Sequence, residues 1–511
     1  MVDILQLHPS DDVAVVVCSG GLSLGQAWAV GRHSGVARVH IPQGHKLALH
    51  DLAPGDEILK YGLPIAVATV PIAAGDHVHI HNATMPAQRY GGAPTTQATP
   101  APKESWSGLP STFNGYRRGN GSSGTRNYVV VAASVNCSAT VVKAICRRFI
   151  DRDLRAAGVH GIVPLAHGMG CAQAIGSAGY RLLNRTLAGS IFHPNVVGAV
   201  VVGLGCEGTT FSTILDARAG LGLLGEIPLE RVGIQDAGGT EEAIRIGVEA
   251  VERTLERLPA LGREQLPVSG LKLALNCGGS DAFSGITANP ALGVASDILV
   301  ANGGTAALAE IPECHGAEDV LIRRASDASV RQALREVFAW WQDYAARHDV
   351  GLNDNLAPGN IDGGITTIVE KSLGAVAKAG TTTITQVVGY AEQLDHPGVA
   401  LMNTPGFDPV SVTGLVAGGC NIVAFTTGRG SAFGCAIAPT LKIATTSALF
   451  QKMPGDMDVD AGSVLEQGTP DDFGVAIYRR LVSIASGDTT SSERLGLGWE
   501  EFVPWAIGET L

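Results

Sequence analysis

Tyr128-Val129-Val130-Val131-Ala132-Ala133 decides the fold. Six apolar residues without alternation predict a strand buried on both faces, the setting of a parallel sheet covered by helices on each side. Five further runs share this texture: Gly161–Leu165, Val196–Val202, Lys272–Asn276, Val399–Met402 and Ile422–Phe425. Amphipathic stretches separate them, at Ser138–Ala156, Thr240–Arg257, Val330–Arg347 and Asp471–Ser486. Strands alternating with helices give an α/β class with largely parallel sheets. Leu266-Pro267-Val268-Ser269-Gly270 marks a break, so two α/β domains are expected, at 111–265 and 266–511.

Upstream the texture differs. Val13–Val17, Ala37–Ile41, Lys46–Leu49, Ile65–Thr69 and His77–His81 are short β-like runs punctuated by Gly55-Asp56 and Gly75-Asp76. Residues 1–84 therefore read as a small all-β domain. Residues 85–110, rich in Pro, Gly, Thr and Ala, cannot build a core and read as a flexible linker.

Composition excludes several functions. The net charge of −12 comes with no long basic run, so no nucleic-acid partner is expected. No stretch of about 20 apolar residues exists, so no membrane partner is expected. The opening MVDILQLHPSDD lacks a basic and then apolar leader, and nine cysteines are an odd count. Both point to a cytoplasmic location with reduced thiols. Gly is 66 of 511 residues, which suits an enzyme whose sites are built from tight loops. A homodimer is expected.

In open α/β sheets ligands bind beyond the carboxyl ends of strands. Each run above ends in a glycine-rich loop with polar or thiol groups. Asn136-Cys137-Ser138, His167-Gly168-Met169-Gly170-Cys171 and Gly205-Cys206-Glu207 follow the first three. Cys137, Cys171 and Cys206 thus occupy equivalent positions and form a candidate metal site, since thiolates select iron or an iron–sulfur cluster. A histidine site is the alternative, from His45, His79 and His81, with His79 and His81 on one face of a strand. Gly203-Leu204-Gly205-Cys206-Glu207-Gly208 matches a dinucleotide fingerprint, but no clean second strand with its acidic residue follows, which disfavours that reading. Cys277-Gly278-Gly279-Ser280-Asp281, Asn403-Thr404-Pro405-Gly406 and Thr426-Thr427-Gly428-Arg429-Gly430-Ser431 follow the later strands. Hydroxyls, backbone amides and one guanidinium make a carboxylate clamp of Thr426, Thr427 and Arg429. Ser280, Asp281 and Thr404 join the substrate-binding candidates. His167 is the first candidate for general acid or base, with Glu207 and Lys371 behind it.

Phe113-Asn114-Gly115-Tyr116-Arg117-Arg118, Gly124-Thr125-Arg126-Asn127, His193-Pro194-Asn195, the Cys277–Asp281 loop, Glu370-Lys371-Ser372-Leu373-Gly374 and Phe425–Ser431 resemble the altronate/galactarate dehydratase family. Gly44-His45-Lys46 and Lys60-Tyr61-Gly62 resemble the SAF-type domain fused to those enzymes. The resemblance implies an iron-dependent hydro-lyase, a carbon–oxygen lyase of carbohydrate-acid catabolism. It would convert altronate, galactarate or a related small-molecule hydroxy acid to a 2-keto-3-deoxy acid. Sulfite elimination from sulfolactate, on the same framework, is one alternative. A non-catalytic protein that binds metal or sugar acid is the other. One departure stands out: Asn120-Gly121-Ser122-Ser123-Gly124 replaces the family's common Asp-Gly-Arg-Val-Gly.

Overall fold

The computed structural model describes residues 3–86 and 106–508. Of the expected linker 85–110, residues 87–105 lie outside them. The class is α/β, with a small β module in front of two parallel sheets. The first sheet has the order Gly161–Leu165, Tyr128–Ala133, Val196–Gly203, Leu229–Gly233. The second has seven strands, in the order Ile384–Val388, Gly398–Met402, Thr305–Leu308, Lys272–Cys277, Ile422–Thr427, Thr440–Ala444, Val459–Asp460. Every pairing in both sheets is parallel.

Several elements go beyond the sequence pattern. Leu229–Gly233 pairs with Val196–Gly203, so the strand judged missing after the glycine-rich loop is present. The loop itself is already satisfied, because the Gly205 amide donates to Glu207 Oε2 at 2.7 Å. Thr305–Leu308, Ile384–Val388 and Thr440–Ala444 were hidden because each is a short run with polar members. The helix expected over Ser138–Ala156 ends at Arg147.

Family motifs weld the two sheets. Asn195 Oδ1 accepts from the Thr125 amide at 2.7 Å, and its Nδ2 donates to Ile437 O at 2.9 Å. Arg126 binds both oxygens of Glu493, at 2.6 and 3.0 Å. Gly189 lets two helices touch, since a Cβ there would stand 2.1 Å from Ala417 O. The Asn120–Gly124 departure lies in the turn joining Thr112–Arg117 to Ser123–Gly124, where Asn120 Nδ2 donates to Leu224 O at 2.6 Å.

The β module is built on a five-residue phrase used four times: Leu22-Ser23-Leu24-Gly25-Gln26, Ile41-Pro42-Gln43-Gly44-His45, Leu52-Ala53-Pro54-Gly55-Asp56 and Ile72-Ala73-Ala74-Gly75-Asp76. The apolar residues pair as bridges, Leu22 with Ile41 and Leu52 with Ile72. The four glycines take φ of 78, 84, 94 and 89°, the left-handed region that favours glycine. Ala37–Ile41 is therefore not a strand beyond the Ile41 bridge. The strand His77–Val78 stops before a turn, so His79 and His81 do not alternate along one strand.

A buried carboxylate ties the module to the seven-stranded domain, beside the hydrogen bond from Thr367 Oγ1 to Ile65 O. Glu370, on the helix Ile368–Val376, accepts from Lys46 Nζ at 2.9 Å and Lys60 Nζ at 2.8 Å. All three side chains are buried. Burial opposes the charge of Glu370, yet the two ammoniums hold it down at about 2. Burial, offset only partly by Glu370, pulls Lys46 down to about 8. Lys60 is raised, because Glu370 and Tyr61 outweigh its burial. One carboxylate thus balances two ammoniums. Replacing Glu370 with Leu leaves two buried cations without a counter-charge. The expected cost is about 3–5 kcal/mol, seen as a lower denaturant midpoint for the transition that includes the module. An unchanged midpoint would show that the pairing contributes nothing to docking.

Candidate active site

The winding of the seven-stranded sheet switches sides between Lys272–Cys277 and Ile422–Thr427. From Lys272–Cys277 the chain adds strands on one side, then crosses to Ile422–Thr427 on the other. The crevice beyond the carboxyl ends of those two strands is where such sheets bind ligands. The loops there are Cys277–Asp281 and Thr427–Gly430. Asp281 is buried and accepts from Ser284 N at 2.9 Å and Thr445 Oγ1 at 3.0 Å. Ser280 is buried, and its carbonyl accepts from Asn360 Nδ2 at 2.8 Å. Thr426 Oγ1 donates to Asn289 Oδ1 at 2.7 Å. Thr427 Oγ1 accepts from Gly430 N at 3.0 Å. Thr404 Oγ1 accepts from Glu310 N at 2.8 Å. These hydroxyls shape the loops. Arg429 is exposed, and its guanidinium has no hydrogen bond or ion pair among the described residues. It is the free donor of the set.

The β module reaches the first of these loops, where Lys60 and Tyr61 line a cavity with Ser280 and Asp281. The imidazoles of His45, His77 and His79 converge, with ligand nitrogens within 4.8 Å of one another. His45 Nδ1 and His77 Nε2 stand 2.9 Å apart. His45 Nε2 is 3.3 Å from Asp362 O, and His79 Nδ1 is 3.1 Å from Thr366 Oγ1. His81 is exposed, and its ring reaches only that of His77, at 5.3 Å between centroids. The histidine alternative thus assembles with His77 in the place given to His81. Burial lowers all three and Lys46 adds to it, joined at His77 and His79 by the neighbouring imidazoles; His77 falls to about 3 and His79 to about 4. They are neutral at pH 7, as metal ligation by nitrogen requires. The repeated phrase explains why His45 is available. In the other three copies the fifth residue caps the amide of the second: Gln26 on Ser23 at 3.0 Å, Asp56 on Ala53 at 2.8 Å and Asp76 on Ala73 at 2.8 Å. In the fourth copy the second residue is Pro42, which has no N–H. Nothing there needs a cap, and His45 turns toward His77.

Behind the crevice lies a buried ionisable set that sequence reasoning missed. Cys277 Sγ is 2.9 Å from Glu313 Oε2 and 2.7 Å from Lys378 Nζ. Lys378 Nζ donates to Glu310 Oε2 at 2.8 Å, and Lys371 Nζ pairs with Glu313 Oε1 at 2.9 Å. Lys371 also lines a small cavity with Ser280, Asp281, Ser284 and Lys60. A hydrogen-bonded path therefore runs from that cavity through Lys371, Glu313, Cys277 and Lys378 to Glu310. Glu310 sits at φ 60°, unusual for a side-chain-bearing residue, and its Oε1 is buried without a partner among the described residues. Burial lifts Glu310 to about 7 against the pull of Lys378. Glu313 is lowered, since Lys371 and Lys378 outweigh its burial. Burial and the carboxylates push the Cys277 thiol well up, so it stays protonated and donates to Glu313. Burial, then Glu310 and Glu313, push Asp408 well up as well. Cys277, Glu310 and Glu313 also hold ligand atoms within 4.8 Å. They do not fit a metal, because the two lysine ammoniums already occupy the cation's place. The available signal was Glu310-Ile311-Pro312-Glu313-Cys314, two acids placed just past a strand end.

The remaining candidates lie on the four-stranded sheet. His167 Nε2 donates to Ala133 O at 2.9 Å, and its Nδ1 accepts from Met169 N at 3.1 Å. Both nitrogens are engaged, and burial lowers the ring to about 4. Glu207 accepts from Ser134 Oγ at 3.0 Å. Cys137, Cys171 and Cys206 are exposed and free. They are in neither group of mutually close ligand atoms found among the described residues.

Three family models cover the chain: the SAF domain of altronate/galactarate dehydratase on residues 2–86, the second domain of D-galactarate dehydratase/altronate hydrolase on 115–259, and the C-terminal domain of D-galactarate/altronate dehydratase on 268–510. Altronate dehydratase of Escherichia coli is 36% identical over 494 residues, 96% of each chain. Galactarate dehydratase (L-threo-forming) of E. coli is 35% identical over 504 residues, 96% of this chain and 95% of its own. The (2R)-sulfolactate sulfo-lyase of Chromohalobacter salexigens matches in two pieces. Its beta subunit is 31% identical over 77% of this chain and 96% of its own, and its alpha subunit is 35% identical over 15% of this chain and 87% of its own. No helix among the described residues is long and apolar enough to cross a membrane. With matching models along nearly its whole length and dehydratases as full-length relatives, the chain belongs to the D-galactarate/altronate dehydratase family of carbon–oxygen lyases.

Proposed function

We propose that this chain removes water from a sugar acid of the aldonic or aldaric class to give a 2-keto-3-deoxy acid, with ferrous iron as cofactor. One observation carries the reading. Two imidazoles of the neutral trio and an unpaired guanidinium border the same loop, 359–366. His45 and His79 bond to its Asp362 and Thr366, and Arg429 Nε stands 3.7 Å from where a Cβ on Gly359 would be. The fit to iron is chemical: His45, His77 and His79 supply borderline nitrogen ligands in their neutral form. When bound there, the ion supplies Lewis acidity to the carboxylate and hydroxyl oxygens of the substrate.

The chain's own groups do the rest. Arg429 pairs with a substrate carboxylate, a charge-assisted contact that fixes orientation. The surplus ammonium charge of Lys46 and Lys60 favours an anionic substrate at the junction. Elimination requires a proton donor at the departing hydroxyl and an acceptor for the Cα proton. Lys371, kept protonated by Glu313, gives its proton to the departing hydroxyl, and the amine so formed takes the Cα proton, which restores the ammonium. Glu310, held near neutrality at the far end of the path, takes up or returns protons through Lys378, Cys277 and Glu313. Burial keeps the field of these charges strong. The sulfo-lyase relative supports a second reading, in which sulfite leaves in place of hydroxide.

Assays of iron-loaded protein on galactarate, altronate and sulfolactate separate the readings; turnover of sulfolactate alone would remove the hydro-lyase reading. Arg429→Met is expected to raise KM about 10–100-fold, the worth of a charged hydrogen bond, with a smaller change in kcat. An equal KM would remove Arg429 from substrate binding. Activity is expected to change through a titration near pH 7, and Glu310→Gln is expected to abolish that limb. Retention of the limb in the Gln variant would exclude Glu310 as its source.

A further inference from the structure

The exposed cysteines of the four-stranded sheet have no part in the site above. Of nine free cysteines, Cys146, Cys277, Cys314 and Cys420 are buried and Cys18 and Cys435 partly so. The three exposed ones are Cys137, Cys171 and Cys206. A free cysteine behaves as a small hydrophobe and is among the most buried residue types. These three all stand in loops at the carboxyl ends of three adjacent parallel strands, Gly161–Leu165, Tyr128–Ala133 and Val196–Gly203. The winding of this sheet also reverses there, between the second and third of those strands.

The loops are bolted to one another. Asn136 N donates to Met169 O at 2.7 Å, which ties the Cys137 loop to the Cys171 loop. His167, buried, donates from Nε2 to Ala133 O at 2.9 Å across the same pair. Ser134 Oγ donates to Glu207 Oε1 at 3.0 Å, which ties the Cys137 loop to the Cys206 loop. Gly170 packs against the first loop so closely that a Cβ would stand 2.8 Å from Ser134 O. Buried polar groups thus fix loops whose exposed ends are thiols. Among the described residues, no set of ligand atoms within 4.8 Å of one another includes these sulfurs, so they do not converge on one bare ion. A group with its own bridging atoms has a wider reach.

We infer that Cys137, Cys171 and Cys206 bind a polynuclear iron–sulfur cluster through three thiolates, leaving one iron without a protein ligand. Cysteine sulfur is the preferred donor for such clusters. Assembly is balanced without a redox partner. Three S–H protons pass to solvent and three S–Fe bonds form, with ferrous iron, ferric iron and sulfide supplied together. His167 and Glu207 are positioning residues for this site. The inference does not depend on the reading of the histidine trio.

The test is anaerobic reconstitution of the full chain with ferrous and ferric iron and sulfide, followed by desalting. Acid-labile sulfide, visible absorption and cysteine alkylation mapped by peptide mass spectrometry are then read. The expected result is retained sulfide with broad absorption, and protection of Cys137, Cys171 and Cys206 from iodoacetamide. A folded Cys137→Ser/Cys171→Ser/Cys206→Ser variant should hold no sulfide, while His45→Ala/His77→Ala should hold as much as the parent chain. Should the triple variant not fold by circular dichroism, Cys171→Ser alone is expected to lose the sulfide. Alkylation of all three thiols at the unreconstituted rate, or full sulfide retention without them, would overturn the assignment. Neither readout uses turnover, so failure here leaves the proposed reaction untouched.

Discussion

One carboxylate organises the molecule. Glu370 reaches from the helix beside the seven-stranded sheet to two buried lysines of the β module and offsets part of their charge. Buried ammoniums are tolerated only with such a partner. The module therefore has one low-energy seat on the sheet, and in that seat His45 and His79 meet the loop 359–366. The β module supplies imidazoles, and the sheet supplies Arg429 and the proton path. Neither half holds all the groups of the proposed site, so that site depends on the docking of the two.

Charge balance governs both buried sets, with opposite outcomes. Around Glu370 the cations outnumber the anions, and the surplus is positive. Around Cys277 two ammoniums face three carboxyls and a thiol. Burial there cannot sustain more negative charge than the lysines offset, so Asp408 and Cys277 stay protonated and Glu310 is left near its midpoint. A group at its midpoint inside a hydrogen-bonded chain moves a proton at small cost. The same accounting excludes a metal from that set, since an added dication would have to displace the chain's own ammoniums.

The legible part of this structure is the part written in uniform apolar texture. Tyr128–Ala133 and its counterparts are strands because no other structure buries both faces of six small apolar residues. Their loops could be named in advance because parallel sheets bind ligands at strand ends, and Ser280, Asp281 and Arg429 do stand at the reversal of the winding. Short strands with mixed texture, such as Ile384–Val388, could not be read, because their burial depends on neighbours far away in sequence. Glu310 and Lys378 escaped for a related reason. Each is an ordinary charged residue until tertiary packing places them 2.8 Å apart. His81 was preferred to His77 on a strand alternation that the turn at His79–Asn82 removes.

Pro42 has a consequence beyond its own turn. The module repeats one phrase, and repetition fixes what each position must do: the fifth residue is obliged to serve the backbone. By lacking one hydrogen atom, Pro42 lifts that obligation in a single copy. His45 is spared that duty, and its ring faces His77 and Asp362 instead. A scaffold of identical parts acquires a reactive corner through an exemption, not through an insertion or a new loop.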